Sequence, residues 1–111
     1  MKHLFYLFFL VFLVSCGSNE MSLNQKKMLV YDYAIENIEP RLKDPSSLEI
    51  PSLSERRDHV NETYQGSNIF IVNSWFRSKN SLGGMVKNTF SCEVEIKDNG
   101  NTLSGKNLKI E

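Results

Sequence analysis

The apolar positions of this chain fall into blocks of different period. The first is an unbroken run from Leu4 to Val14, preceded by the positive Lys2. A helix needs roughly 20 apolar residues to span a bilayer, so this shorter run has the form of a secretory signal over residues 1–15. Gly17 to Asn24 is polar and reads as a tether. From Ser22 to Ile38 the period becomes helical, with Met28, Tyr31, Ile35 and Ile38 on one stripe and Ala34 widening it. Lys26, Lys27, Asp32, Glu36 and Asn37 fall away from that stripe. Ser22 followed by Gln25 has the form of a capping box, in which each side chain satisfies the other residue's free N–H. Pro40 cannot continue the ladder and biases Glu39 out of helical geometry, so the helix ends near Ile38 or Glu39. A short turn through Arg41 to Lys43 follows, with Pro40 at its first position.

The second half changes period from helical to alternating. Asp44-Pro45-Ser46-Ser47 is a turn by composition. Leu48, Ile50 and Leu53 form a short strand, placed at an edge by Pro51. Ser54 to Asn68 is polar and reads as a long exposed loop with room for one helical turn. Ile69 to Phe76 is dense in β-branched and aromatic residues, with Ile69, Ile71 and Trp75 on one face and Phe70, Val72 and Phe76 on the other. Both faces want cover, so the strand is central. Ser78 to Gly84 turns the chain. Val86, Phe90, Cys92, Val94 and Ile96 then alternate with Lys87, Thr89, Ser91, Glu93, Glu95 and Lys97. Asn99-Gly100 is a two-residue hairpin signal, and Leu103 to Ile110 returns with Leu108 and Ile110 facing in. The expected fold is α+β, one N-terminal amphipathic helix packed on a three- to four-stranded antiparallel sheet.

Where the signal ends, Leu13-Val14-Ser15-Cys16 resembles the lipobox of bacterial lipoproteins. The resemblance implies lipid on the Cys16 sulfur, cleavage between Ser15 and Cys16, and acylation of the new amino group. Several acyl chains on one residue make a lasting anchor, since each buried methylene contributes about 0.8 kcal/mol and a single chain binds only marginally. In that family an acidic residue after the cysteine often means inner-membrane retention. Gly17 stands there instead, which implies an outer membrane location facing the periplasm in a host with two membranes. The division is then a signal at 1–15, a lipidated cysteine and polar tether at 16–24, and one small domain at 25–111.

A second resemblance covers much of Leu42 to Val94. Leu42-Lys43-Asp44-Pro45-Ser46-Ser47, Lys79-Asn80-Ser81-Leu82-Gly83-Gly84-Met85-Val86 and Phe90-Ser91-Cys92 look like a group of small uncharacterised proteins of bacteria and their prophages. Leu82 stands where that group usually has an aromatic, and Leu48 where it has alanine. The group carries no activity to transfer.

Thirteen basic and thirteen acidic side chains balance over the chain and are scattered, without the basic stripe of a nucleic-acid binder. Of the two cysteines, Cys16 is consumed by lipid, which leaves Cys92 as a lone thiol in an oxidising compartment. Its alternation with Phe90 and Val94 places it on the buried face, where a thiol is inert; a thiol-dependent enzyme would need it accessible and next to a base such as His59. His59 lies among Glu55, Asp58 and Glu62, a poor ligand set for a metal. Glu93 and Glu95 share a face with Lys87 and Lys97 and read as solvated charge. Asn80 to Gly84 lacks the spacing of a phosphate loop.

Trp75 and Phe76 are more informative. Adjacent strand residues point to opposite faces, so one of the two leaves the helix-covered side. Either the 54–68 loop folds over it or a partner meets it, as aromatics favour interface centres. The resulting expectation is a lipid-anchored envelope protein, a binding module without catalysis, cofactor, metal or small-molecule substrate. A narrower alternative is a prophage-type accessory lipoprotein that inhibits an envelope enzyme or phage receptor; a third is an enzyme using Cys92.

Overall fold

A computed structural model describes residues 21–111. The lipobox, Cys16 and most of the tether lie outside the described residues. The long helix α1 runs Leu23–Ile38 and opens with the expected reciprocal cap. Ser22 Oγ accepts from Gln25 N at 3.2 Å and Gln25 Oε1 accepts from Ser22 N at 2.8 Å. Leu23 and Asn24, assigned to a polar tether by composition, are therefore helical. Pro40 follows in a single 3-10 turn, Glu39–Arg41, as its missing N–H and fixed φ require. Val30, Tyr31, Ala34, Ile35 and Ile38 are the buried residues of α1. Met28 is only half-buried and lines an open cleft with Leu29 and Leu53.

The sheet has four strands in the order β1-β2-β3-β4, all neighbours antiparallel: β1 (Val60–Glu62), β2 (Ile69–Lys79), β3 (Met85–Lys97) and β4 (Thr102–Ile110). One helix on one antiparallel sheet is the α+β arrangement that the change of period predicts. α1 covers the face built from Val60, Phe70, Val72, Phe76, Phe90, Cys92, Val94 and Ile96. At the centre of that face Tyr31 meets Phe90 edge-on, ring centroids 6.3 Å apart, and Phe90 meets Phe76 at 6.1 Å. The offset geometry suits the ring quadrupoles. The Tyr31 hydroxyl shares a buried 2.9 Å hydrogen bond with Ser74 Oγ, which satisfies both polar tips inside the core.

Several expectations are corrected. The 48–53 segment makes only an isolated antiparallel bridge, Glu49 with Arg77. Leu53 instead begins a short helix α2, Leu53–Arg56, and is 64% exposed. Pro51 N carries no hydrogen to extend a ladder, so the strand stops there. The 54–68 segment is not a plain loop. After α2 and a 3-10 turn it supplies β1, whose Val60 pairs with Val72 and is fully buried. One apolar residue in a polar run gives no period, so only pairing with β2 reveals the strand. β2 continues to Lys79, past the expected turn at Ser78.

The β3–β4 connection is likewise longer than two residues. Lys97 pairs with Thr102, so Asp98 to Asn101 all lie in the turn. Asp98 and Asn99 both have φ 54° and Gly100 has φ 94°. Gly100 is required twice over: a Cβ there would stand 2.5 Å from Met21 Cε as well as in the left-handed region.

β4 carries a bulge. Ser91 pairs with Lys109 and Glu93 with Lys106, so Cys92 faces both Asn107 and Leu108. Asn107, at φ 59°, takes the left-handed position that Asn tolerates best among residues with a side chain. The extra residue is what lets Leu103 and Leu108, an odd number of positions apart, both pack on the core. Lys106, Lys109 and the bulge blunt this edge against strand addition, and the other edge, β1, is only three residues long.

Candidate functional site

With one face of the sheet under α1, the other is open. Register fixes what stands on it. Trp75 pairs with Thr89, Asn73 with Ser91 and Arg77 with Lys87. Ser91 pairs on with Lys109, and the backbones of Thr89 and Glu111 exchange hydrogen bonds of 3.0 and 2.8 Å. Adjacent rungs thus bring Trp75 and a set of polar side chains from three strands to one place. They line a cleft of about 400 Å³ with Asn73, Thr89 and Ser91 in its floor, Trp75 and Lys87 on one side, Lys109 and Glu111 on the other, and His59 at one end. Small floor residues between large flanking ones make the concavity.

The charges here are unbalanced. Lys87 Nζ lies 5.0 Å and Arg77 Cζ 5.8 Å from the centroid of the Trp75 ring, within reach of the negative ring face. Further along the same face Glu93 pairs with Lys106 at 3.0 Å and Glu95 with Lys97 at 3.7 Å. Among the described residues, no carboxylate lies within 4.0 Å of the charged ends of Arg77, Lys87 or Lys109. His59 Nδ1 stands 3.1 Å from the Asn73 carbonyl. A carbonyl only accepts, so Nδ1 bears a proton and Nε2 is the ring atom left for other contacts.

The two aromatic candidates are now separated. Phe76 is 1% exposed in the core, a correction to its candidacy as a contact residue. Trp75 is half-buried on the open face, and its cover comes from Lys87 and Arg77. The 54–68 segment does not lie across the indole; it adds β1 at the sheet edge and brings His59 to the cleft's end.

Other sequence candidates are dispersed. Cys92 is 6% exposed on the helix side, and burial pushes its thiol up to about 11, so it is protonated at neutral pH. A cleft of about 220 Å³, also lined by Arg41 and Lys106, lies beside it. His59 is on the opposite side of the sheet and offers it no base. In the Asn80–Gly84 turn, Asn80 Oδ1 accepts from Leu82 N and Gly84 N, both at 3.0 Å, so the amides an anion would need are occupied. No group of three or more His, Cys, Asp or Glu residues that could hold a metal occurs among the described residues.

Arg77, Lys87, Thr89, Lys109 and Asn73 escaped the sequence reading of the site. The signal was present in part, because Asn73, Trp75 and Arg77 share one phase of β2, and Lys87, Thr89 and Ser91 one phase of β3. Only the register decides that these phases lie side by side. Set against protein-family models, curated proteins and solved structures, the chain matches none.

Proposed function

We propose that this protein is a lipid-anchored component of a bacterial envelope, held through Cys16, that binds another molecule on the open face of its sheet. The observation that carries the binding half is the half-buried Trp75 with Arg77 and Lys87 against its ring and Lys109 across the cleft, cations with no carboxylate within 4.0 Å among the described residues. A surface evolved only for solubility interleaves its charges, as the Glu93–Lys106 end of this face does. The anchoring half rests on Leu13-Val14-Ser15-Cys16, with Gly17 favouring the periplasmic side of an outer membrane.

The anchor fits the placement of the domain. Met21 packs beside Gly100, so the chain enters at the end of the sheet that holds the β3–β4 turn. The 13 residues of β3 carry the Asn80–Gly84 hairpin to the other end, roughly 40 Å away at about 3.3 Å per residue. The cleft lies between these ends.

Two measurements test the reading. Radioactive palmitate is incorporated by the wild type and not by Cys16→Ser; equal labelling of the two removes the anchor. A photo-crosslinking residue placed at Thr89, the cross-strand partner of Trp75, in intact cells yields a discrete adduct that the same residue at Lys106 does not. Identical patterns remove the binding face.

One observation favours the narrower reading, inhibition of an envelope enzyme or receptor. Leu82 is 93% exposed at the hairpin tip, with Met85 and Val86 also exposed behind it. A projecting apolar tip is suited to entering a cleft. On this reading Leu82→Asp restores sensitivity to phage or lysozyme in cells that carry the protein, and unchanged sensitivity rejects it.

A further inference from the structure

We infer that the Trp75 cleft is a saccharide site whose ligand is an amino sugar bearing a carboxylate on its ring, as in the glycan strands of a cell wall. The inference rests on the binding reading of the same face and specifies its ligand.

Three features of the cleft select this chemistry. Its floor is polar and small, since Asn73, Thr89 and Ser91 offer an amide and two hydroxyls, donors and acceptors of the kind that sugar hydroxyls and acetamido groups need. One wall is an indole, and C–H-rich sugar faces pack on aromatic rings as other apolar surfaces do. Arg77 and Lys87 belong to the rung on the hairpin side of Trp75, whereas Asn73 and Ser91 belong to the rung on the other side. The cations and the hydrogen-bonding floor therefore flank the indole along the strands. The volume, about 400 Å³, suits one or two sugar rings.

The charge favours an anion. Lys87 and Lys109 reach the cleft from opposite sides, Arg77 is the cross-strand partner of Lys87, and among the described residues Glu111 is the only acid in the lining. Of the other described acids of this face, Glu93 and Glu95 are committed to Lys106 and Lys97, and Glu49, opposite Arg77 at the edge bridge, comes within 4.0 Å of none of the three cations. A ligand carboxylate gains charge-assisted hydrogen bonds from Lys87 or Lys109 and relieves the repulsion between these cations. Phospholipid headgroups are also anionic, but the position of the cleft argues against them. Thr89 stands eight strand positions from Lys97 at the tether end, roughly 26 Å at about 3.3 Å per residue.

The test uses the full-length protein in non-ionic detergent and a minimal pair of ligands. One is the disaccharide of N-acetylglucosamine and N-acetylmuramic acid, whose lactyl group supplies the carboxylate; the other is N,N′-diacetylchitobiose, which lacks it. Calorimetry or ligand-observed NMR is expected to show the acidic disaccharide binding about tenfold tighter, the scale of one charge-assisted contact. Trp75→Ala abolishes binding of both sugars. Lys87→Gln/Lys109→Gln brings the acidic sugar down to the neutral one, and Lys106→Gln on the same face changes neither. Circular dichroism on each variant confirms the fold. Equal affinity for the two sugars overturns the inference, as does binding insensitive to Trp75→Ala, no binding at tens of millimolar, or binding only to phosphatidylglycerol vesicles. Because palmitate labelling is scored on the same protein, loss of the sugar site and loss of the anchor are read separately.

Discussion

Replacing Tyr31 by Phe removes one hydroxyl from the interior and leaves the ring in place. Tyr31 is fully buried and Ser74 is 6% exposed, so the 2.9 Å bond between them joins helix to sheet out of reach of bulk water. Tyr31→Phe leaves the Ser74 hydroxyl without its partner, and Ser74→Ala leaves the phenol without one. An orphaned buried group costs about 1–3 kcal/mol, more than the net worth of the bond at about 1 kcal/mol. Ser74→Ala is expected to be the costlier change, because the phenol has no path to solvent. The double variant has no orphan and loses only the net bond. It is therefore less destabilised than the sum of the two single changes, with a coupling energy of about 1–2 kcal/mol. A domain of about 90 residues has roughly 5–13 kcal/mol in total. Each single change then lowers the urea midpoint by about 1 M for a slope near 2 kcal/mol/M. Urea unfolding of the wild type and the three variants, followed by circular dichroism and Trp75 fluorescence, completes the cycle. Strict additivity, with coupling under about 0.5 kcal/mol, would refute the claim that this bond ties the two layers together.

Other consequences are as direct. Burial raises the Cys92 thiol from 9.0 to about 11, so the folded state prefers the proton. Its contribution is complete below about pH 9 and is lost as pH rises to 11, a decline of about 3 kcal/mol at 1.36 kcal/mol per unit. Tyr31, also raised by burial, acts in the same direction. Cys92→Ala flattens the stability curve over that interval, and an unaltered curve contradicts the assignment. Gly100→Ala is expected to cost about 1 kcal/mol or more through its positive φ, whereas Gly84→Ala, with only Asn80 atoms near its Cβ at 3.8 and 4.0 Å, stays within about 0.5 kcal/mol. Chemical denaturation of the pair decides it. Asn107→Gly keeps the bulge and Asn107→Val does not, because a β-branched residue resists φ 59°. Amide exchange at Lys106 and Leu108 accelerates in the valine variant alone.

The sequence by itself determined the elements whose residues speak to near neighbours. α1 follows from a helical period and a cap made between Ser22 and Gln25. β2 follows from its density of β-branched and aromatic residues, and β3 from alternation that marks Phe90, Cys92, Val94 and Ile96 as inward, all buried as read, although Val86, in the same phase, is 39% exposed. The resemblance of Leu13-Val14-Ser15-Cys16 to a lipobox is likewise carried by a contiguous string, and Cys16 lies outside the described residues. Tertiary structure decided whatever depends on distant pairing. β1 exists because Val60 fills a place beside Val72, and nothing in its own polar surroundings demands a strand. Trp75 and Phe76 are equally apolar in sequence, and only the side taken by α1 makes one core and the other surface. The cleft needs the pairing of Trp75 with Thr89 and of Ser91 with Lys109, a register that the Asn80–Gly84 turn and the Asn107 bulge impose. Local periodicity selects the elements; the site arises where three strands are brought into one register.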